Sequence, residues 1–175
     1  MKIGLISDSH LEASSEPLIT QLNGLFNDVD LILHAGDIIS QDFICDLEKI
    51  APVIAIQGNV DRMAGLDLPK TKVIEKEGIK IGLIHGEIYP RDDSSQLYYI
   101  AKELDVNILV SGHSHQPKIE EYEDVLLVNP GSPTTPRLAE PSVMTLEINE
   151  GNVEIKLLKL GPSVCKALDF DKFKK

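Results

Sequence analysis

The chain has 175 residues, of which 42% are hydrophobic and 26% charged, and its formal net charge is −11. This length suits one globular domain with a substantial core, and the composition excludes a disordered chain, a collagen and a coiled coil. The acidic balance argues against an extended nucleic acid as partner, although bound metal ions could still attract a small phosphate-bearing substrate.

The location of the protein is suggested by what the sequence does not contain. Cys45 and Cys165 are its two cysteines, too few for a disulfide framework or a thiolate metal site. No apolar run approaches the ~20 residues of a membrane span, and the apolar run at residues 1–6 is too short for a signal peptide. We expect a cytoplasmic protein that does not enter a membrane.

Strands and helices alternate through the first third of the chain. Short apolar runs predict buried strands over residues 2–6, 31–34 and 53–57. Helical spacing of apolar residues predicts helices over 15–27 and 40–50, with Ser15 and Ser40 as N-caps. Residues 61–71 are predicted as loop. The alternation favours a parallel sheet.

The rest of the chain is richer in hairpins. Strand pairs are predicted at 72–75 with 79–84, at 119–122 with 125–128, and at 142–148 with 153–158. A helix is predicted over 93–104, a buried strand over 107–110, and a loop over the proline-rich stretch 130–141. Together the elements predict an α/β fold in which two sheets pack face to face with helices outside.

Polar side chains gather where the predicted strands end. Four of the five histidines lie there, in turns rich in Gly, Ser and Asp, whereas His34 falls within a strand and is assigned a structural or supporting role. The carboxyl ends of strands line the binding crevice of open α/β sheets. His113 and His115 are expected to point to one side of an extended segment. The candidate metal ligands are Asp8, His10, Asp37, Asn59, His85, His113 and His115.

Each of these motifs also has a plainer interpretation. Asp8 could cap a helix beside a surface histidine, and Gly36-Asp37 and Gly58-Asn59 are common turn sequences. Their combination is more specific than any part. Oxygen and imidazole ligands without thiolate suit Mn, Fe, Ni, Co or Zn.

These motifs, in this order, resemble those of the calcineurin-like metallophosphoesterases: Asp8-Ser9-His10, Gly36-Asp37, Gly58-Asn59, His85-Gly86 and Gly112-His113-Ser114-His115. The chain is similar to the small single-domain phosphodiesterases of bacteria and archaea, and also to the retromer subunit of this fold. The resemblance implies a four-layer α/β/β/α sandwich over residues 1–160, followed by a tail or short helix at 161–175.

The resemblance also implies a dinuclear metal centre with Asp37 as the bridging ligand. Two divalent ions would be bound, with Mn²⁺ preferred and Ni²⁺, Co²⁺, Fe²⁺, Zn²⁺ or Mg²⁺ as alternatives. A metal-bridging hydroxide would attack the phosphorus in line. One ion would be held by Asp8, His10, Asp37 and His115, and the other by Asp37, Asn59, His85 and His113.

The sequence departs from the family where many members carry a histidine that protonates the leaving group. Val60 stands there and cannot donate a proton. Either Asp61 or solvent donates instead, or Asp61 is a turn residue; a preference for diesters with acidic leaving groups is expected. Glu87 replaces a second histidine after His85-Gly86. Asn129 and the backbone of Gly131-Ser132 either border the phosphate or form a turn, and Arg62, Arg91 and Arg137 face either a phosphate or solvent.

The leading hypothesis is a metal-dependent phosphodiesterase acting on a small phosphate ester, with Asp37, Asn59, His85 and Asp61 as catalytic residues. The alternative is a non-catalytic metal-binding scaffold for protein partners, as the retromer resemblance implies. All seven ligand positions carry side chains able to bind a metal, which favours catalysis. Whether the chain forms a homo-oligomer is left open.

Overall fold

The computed structural model describes residues 1–12 and 16–161, which form ten strands and four helices. The strands are β1 (Lys2–Ile6), β2 (Leu31–His34), β3 (Val53–Ala55), β4 (Thr71–Lys76), β5 (Ile79–Ile84), β6 (Ile108–Val110), β7 (Pro117–Tyr122), β8 (Val125–Pro130), β9 (Ser142–Asn149) and β10 (Asn152–Lys159). The helices are α1 (Glu16–Leu25), α2 (Gln41–Glu48), α3 (Asn59–Ala64) and α4 (Ser94–Glu103). None of the helices in these residues is both long and apolar enough to cross a membrane.

The strands form two mixed sheets of five. One has the order β10-β9-β1-β2-β3, in which β1, β2 and β3 are parallel and β9 runs antiparallel to β1. The other has the order β4-β5-β6-β8-β7, with β5, β6 and β8 parallel and antiparallel strands at both edges. Within each sheet the carboxyl ends of the parallel strands share one edge, where ligand-binding loops collect in α/β folds.

Apolar side chains pack in three layers. Ile3 and Leu5 of β1 face the other sheet and belong to the core between the sheets, because alternate residues of a strand point to opposite faces. Ile6 points outward, where α1 and α2 cover the first sheet. Leu97 and Ala101 of α4 cover the second sheet. The predicted α/β fold, an α/β/β/α sandwich, is confirmed.

Most predicted elements agree with the structure to within a few residues, but the loop predicted over 61–71 is wrong at its start. Helix α3 runs through Asn59–Ala64 and ends at Gly65, whose φ is 79°. Ser40 stands at the N-cap of α2 without a side-chain capping bond, whereas Asp93 caps α4 by accepting from the Gln96 amide at 2.9 Å. Ser15 and the tail at 162–175 lie outside the described residues.

Candidate metal centre

The predicted ligands come together where loops from both sheets meet. The loop after β1 bonds to the loop after β2, since the Asp8 amide donates to Gly36 O at 2.9 Å and the His10 amide to Asp37 O at 3.0 Å. The loop after β6 joins them, because the His113 amide donates to the Asp8 carboxylate at 3.0 and 3.1 Å. These bonds fix the loops to one another before any side chain is considered.

The ligand positions have an unusual backbone conformation. Five of them are left-handed, with φ of 52° at Asp8, 46° at His10, 57° at Asp37, 69° at His113 and 61° at His115. Positive φ is uncommon outside glycine, and such strain concentrates at functional sites. The expectation that His113 and His115 lie in an extended segment is therefore wrong, and the two rings contact different neighbours.

One group of donor atoms surrounds His10 and His115. Their Nε2 atoms are 3.2 Å apart. Asp8 Oδ1 is 3.4 Å from His115 Nε2 and 4.0 Å from His10 Nε2, and His10 Nε2 is 3.6 Å from Asp37 Oδ2. Two carboxylates and two imidazoles thus converge on one volume.

A second group surrounds His85. Its Nε2 atom is 3.3 Å from Asp37 Oδ2 and 3.2 Å from Asn59 Oδ1, and His113 Nδ1 is also 3.2 Å from Asn59 Oδ1. Asp37 contacts both groups. The structure therefore brings all seven sequence-predicted ligands into one cluster with Asp37 between its two halves.

Backbone carbonyls orient two of the imidazoles. His85 Nδ1 lies 2.8 Å from Ala35 O and His115 Nδ1 lies 2.6 Å from Thr135 O. A carbonyl only accepts hydrogen bonds, so each Nδ1 carries a proton. Each Nε2 faces the cluster and offers a lone pair to a cation when it is not itself protonated. Sequence reasoning did not identify Ala35 or Thr135, because any residue can supply a backbone carbonyl.

The donor atoms fit a divalent cation. Bonds of about 2.1 Å place neighbouring ligand atoms roughly 3.0–3.4 Å apart, and most separations in both groups are 3.2–3.6 Å. The ligand atoms of Asp8, His10 and His115 lie within 4.8 Å of one another, as do those of Asp8, Asp37 and His85. Buried lone pairs that face one another repel unless a cation lies between them.

The ionisation of the cluster reflects its burial. Burial raises the pKa of Asp8 to about 6, although the nearby His85 and His115 oppose the rise. Burial also lowers the pKa of His10 and His113, which keeps their rings neutral. Burial alone would lower the pKa of His85, but its hydrogen bond to Asp37 and the charge of that carboxylate outweigh this effect and raise it.

Glycines before two ligands leave room for the carboxylate and the imidazole. A Cβ atom on Gly58 would lie 2.2 Å from Asp37 Oδ1, and one on Gly36 would lie 2.8 Å from His85 Nδ1. Gly36 also has a φ of 89°, which favours glycine. The Gly-Asp and Gly-Asn pairs are therefore requirements of packing at the site.

Asp61 is fully buried and organises the loop after β2. Its carboxylate accepts from the backbone amides of Asp37 at 2.8 Å, Ile38 at 2.7 Å, Ile39 at 2.7 Å and Gly58 at 2.8 Å. A carboxylate occupied by four amides is not free to protonate a leaving group. Of the two predicted roles for Asp61, these contacts support the turn role and argue against the proton donor.

Asn129 also faces protein rather than an open site. Its Nδ2 donates to Gly112 O at 2.9 Å and to Ser114 Oγ at 3.0 Å, and its Oδ1 accepts from the Gly131 amide at 2.9 Å. Ser114 in turn donates to Asp92 Oδ2 at 2.6 Å. Asn129 thus holds the histidine-bearing turn in place, and Asp92, which sequence reasoning missed, carries no local motif that could have identified it.

His34 has the supporting position expected of it. Its Nε2 lies 3.0 Å from Ser9 Oγ, between two ligand residues, and its ring meets Phe43 edge-on. Burial lowers the pKa of His34 to about 3, so the ring is neutral.

Comparisons with known proteins identify the family of this chain. A model of the calcineurin-like phosphoesterase superfamily domain matches residues 1–151. A protein of Methanothermobacter thermautotrophicus named "Probable metallophosphoesterase" is 47% identical over 170 residues, which cover 97% of this chain and 99% of that protein.

Solved structures give the same result. A novel archaeal phosphodiesterase is similar with a TM-score of 0.72 and 28% identity, covering 90% of this chain and 100% of that one. Entamoeba histolytica Vps29 complexed with Zn²⁺ has a TM-score of 0.74 and 29% identity, covering 91% of this chain and 99% of that one. The match to the family model spans most of the chain, and the chain belongs to the calcineurin-like phosphoesterase superfamily.

Proposed function

We propose that the protein is a phosphodiesterase that uses two divalent cations, with Mn²⁺ as the preferred ion. The observation that carries this proposal is the shared position of Asp37, whose Oδ2 lies 3.6 Å from His10 Nε2 and 3.3 Å from His85 Nε2. A carboxylate between two imidazole groups is suited to bridge two cations and offset their mutual repulsion. Asp8, His10 and His115 would complete one ion's ligands, and Asn59, His85 and His113 the other's.

The residues of this chain fix the geometry of the reaction. Cations bound here would supply a water acidic enough to ionise near neutral pH and would neutralise charge on the phosphoryl oxygens. Asp37 is held in place by the Val60 amide, which donates to its Oδ1 at 2.8 Å. Asn59 Oδ1 keeps His85 and His113 on one side of the cluster. Such preorganised positioning is what in-line displacement requires.

The position at which many family members carry a histidine that protonates the leaving group holds Val60 in this chain. Val60 has no ionisable group, and the Asp61 carboxylate is occupied by backbone amides. General acid catalysis typically contributes ~10²–10⁴-fold. We therefore expect diesters with acidic leaving groups to be cleaved best, and a rate that does not depend on leaving-group pKa would contradict this.

The test is hydrolysis of bis(p-nitrophenyl) phosphate and p-nitrophenyl phosphate by metal-stripped protein to which Mn²⁺, Ni²⁺, Co²⁺, Zn²⁺ or Mg²⁺ is returned. Metal-dependent cleavage of the diester is expected, with a loss of at least about 100-fold in Asp37→Ala and His85→Ala. Asp67→Ala removes an exposed carboxylate and serves as the matched control. Absence of turnover with every ion, despite bound metal, would overturn the proposal.

The second candidate function is a metal-binding scaffold for protein partners. The similarity to Vps29 structures favours it, since one of them is described in complex with Zn²⁺. Stoichiometric metal binding without phosphoesterase activity would support this candidate. The completeness of the ligand cluster favours the enzyme over the scaffold. The proposal also includes a cytoplasmic location and a single phosphoesterase domain over residues 1–160.

A further inference from the structure

An arginine and a glutamate pair at the rim of the ligand cluster. Arg62 Nη2 donates to Glu87 Oε2 at 3.0 Å and Arg62 Nη1 to Glu87 Oε1 at 3.3 Å, so both oxygens of the carboxylate are engaged by the guanidinium fork. Both side chains are accessible, with relative exposures of 49% and 39%. The pair joins α3 to the loop that follows β5.

Both partners are close in sequence to ligands of the second group. Arg62 lies three residues after Asn59 in α3, so the two side chains share a helix face. Glu87 lies two residues after His85. The pair is thus formed by the two segments that also carry Asn59 and His85, and it borders the second group of ligands.

Arginine is scarce in this protein and concentrated around the site. The chain has three arginines among 17 basic residues, and each lies in a segment bordering the cluster: Arg62 in α3, Arg91 between β5 and α4, and Arg137 between β8 and β9. The Arg137 amide donates to His115 O at 3.1 Å. In a chain of net charge −11, all three copies of the residue type best suited to bidentate anion binding thus lie on segments that border the cluster.

We propose that Arg62 forms a subsite for a second anionic group of the substrate, with Glu87 as the partner that this group displaces. The inference rests on the proposed phosphodiesterase function and names its substrate class: a phosphodiester that carries another phosphate near the scissile one. The metal ligands account for the scissile phosphoryl group, which leaves the guanidinium for a further anion. An exposed ion pair contributes little to stability, so a phosphate dianion can replace the carboxylate readily.

Two substitutions distinguish the proposed subsite from a purely structural role, because the subsite predicts that they change substrate preference in opposite directions. Arg62→Gln removes the anion subsite, whereas Glu87→Gln frees the guanidinium from its internal competitor. The two variants should therefore change substrate preference in opposite directions. If the pair only latched α3 to the loop, either substitution would lower activity on all substrates alike.

The experiment compares two p-nitrophenyl esters that differ by one phosphate, those of thymidine 5′-monophosphate and thymidine 3′,5′-bisphosphate. The Mn²⁺-loaded wild type is expected to prefer the bisphosphate ester by about tenfold in kcat/KM, in line with a charge-assisted bidentate contact. Arg62→Gln should abolish this preference and Glu87→Gln should increase it severalfold. Lys80→Gln, which breaks the exposed pair with Asp105 far from the site, should leave the preference unchanged.

The outcomes separate failure of the subsite from failure of the proposed function. Cleavage of both esters with a ratio that is equal in wild type, Arg62→Gln and Glu87→Gln would overturn the subsite alone. If neither ester is cleaved with any metal, the phosphodiesterase proposal fails, and calorimetry with thymidine 3′,5′-bisphosphate and thymidine 5′-monophosphate then decides the subsite. Tighter binding of the bisphosphate that depends on Arg62 supports it, and equal affinities overturn it.

Discussion

The core between the two sheets and the cluster at the strand ends meet opposite physical demands. The core is built from alternating apolar residues such as Ile3 and Leu5, fully buried in relaxed strands. The cluster, a few residues further along, holds buried carboxylates, facing imidazole nitrogens and left-handed backbone. The core contributes favourably to the free energy of folding, whereas the cluster opposes folding through its buried polar groups and strained backbone. Such a trade-off between stability and function is common at functional sites. Substitutions in the two regions should therefore separate stability from function.

The largest effect on function is expected from Gly58→Ala. The new Cβ would lie 2.2 Å from Asp37 Oδ1, so the carboxylate that we propose as the bridge must move. We expect metal-dependent activity to fall by at least about 100-fold, because sub-ångström positioning of ligands is required. The matched control is Gly24→Ala in α1, where a Cβ meets nothing within 4 Å. Near-normal activity of Gly58→Ala would show that Asp37 is not needed where the structure places it.

The largest effect on stability is expected from Leu5→Ala in the core between the sheets. Leu5 is fully buried, and removing its side chain should lower the free energy of unfolding by about 3 kcal/mol. Metal affinity of the folded protein should change little, since the Leu5 side chain belongs to the apolar core between the sheets. Urea unfolding and calorimetric titration with Mn²⁺ measure the two quantities. A large loss of affinity would contradict the separation.

A smaller effect, with the opposite sign, is expected from Asp8→Asn. Burial raises the pKa of Asp8 to about 6, against 3.8 for the unfolded chain, so stability is fully present below about pH 4 and is lost as pH rises through 6. The amide resembles the protonated acid. At pH 8 we expect the metal-free variant to be more stable than wild type by roughly 1–3 kcal/mol while losing metal affinity. Asp67→Asn, at an exposed position, should change neither quantity.

The smallest effect is a pH dependence of metal binding. Protons compete with the metal for Asp8, whose pKa is raised to about 6 by burial, and for His85. Burial alone would lower the pKa of His85, but the Asp37 carboxylate outweighs burial and raises it. The Mn²⁺ dissociation constant should rise by about tenfold or more per pH unit below pH 6. Calorimetry at pH 5.0, 6.0 and 7.5 measures it, and an affinity that is constant over this range would show that these groups are not ligands.

The fold could be predicted from the sequence because its signals are local. The alternation in β1 and the spacing of Leu18 and Leu22 in α1 identify strand and helix directly. Helix α3 was missed because part of what fixes it is distant: the Asp61 carboxylate accepts from Ile38 and Ile39, more than twenty residues earlier.

The ligand residues could be predicted, and the family resemblance divided them into the same two groups, but their backbone conformation and the contacts around them could not be predicted. Glycine beside Asp37, Asn59 and His85 marked these positions at strand ends. The left-handed turns at His113 and His115, and the pairing of Arg62 with Glu87, depend on segments that meet only in the folded chain. No single-segment pattern encodes such contacts.

The central claim is that two cations share Asp37. A crystal structure of the protein soaked with Mn²⁺, with anomalous scattering measured for the metal, tests it most directly. The account predicts two peaks about 3.5–4 Å apart on either side of Asp37, one beside Asp8, His10 and His115 and the other beside Asn59, His85 and His113. A single peak under saturating Mn²⁺, or peaks away from Asp37, would contradict it.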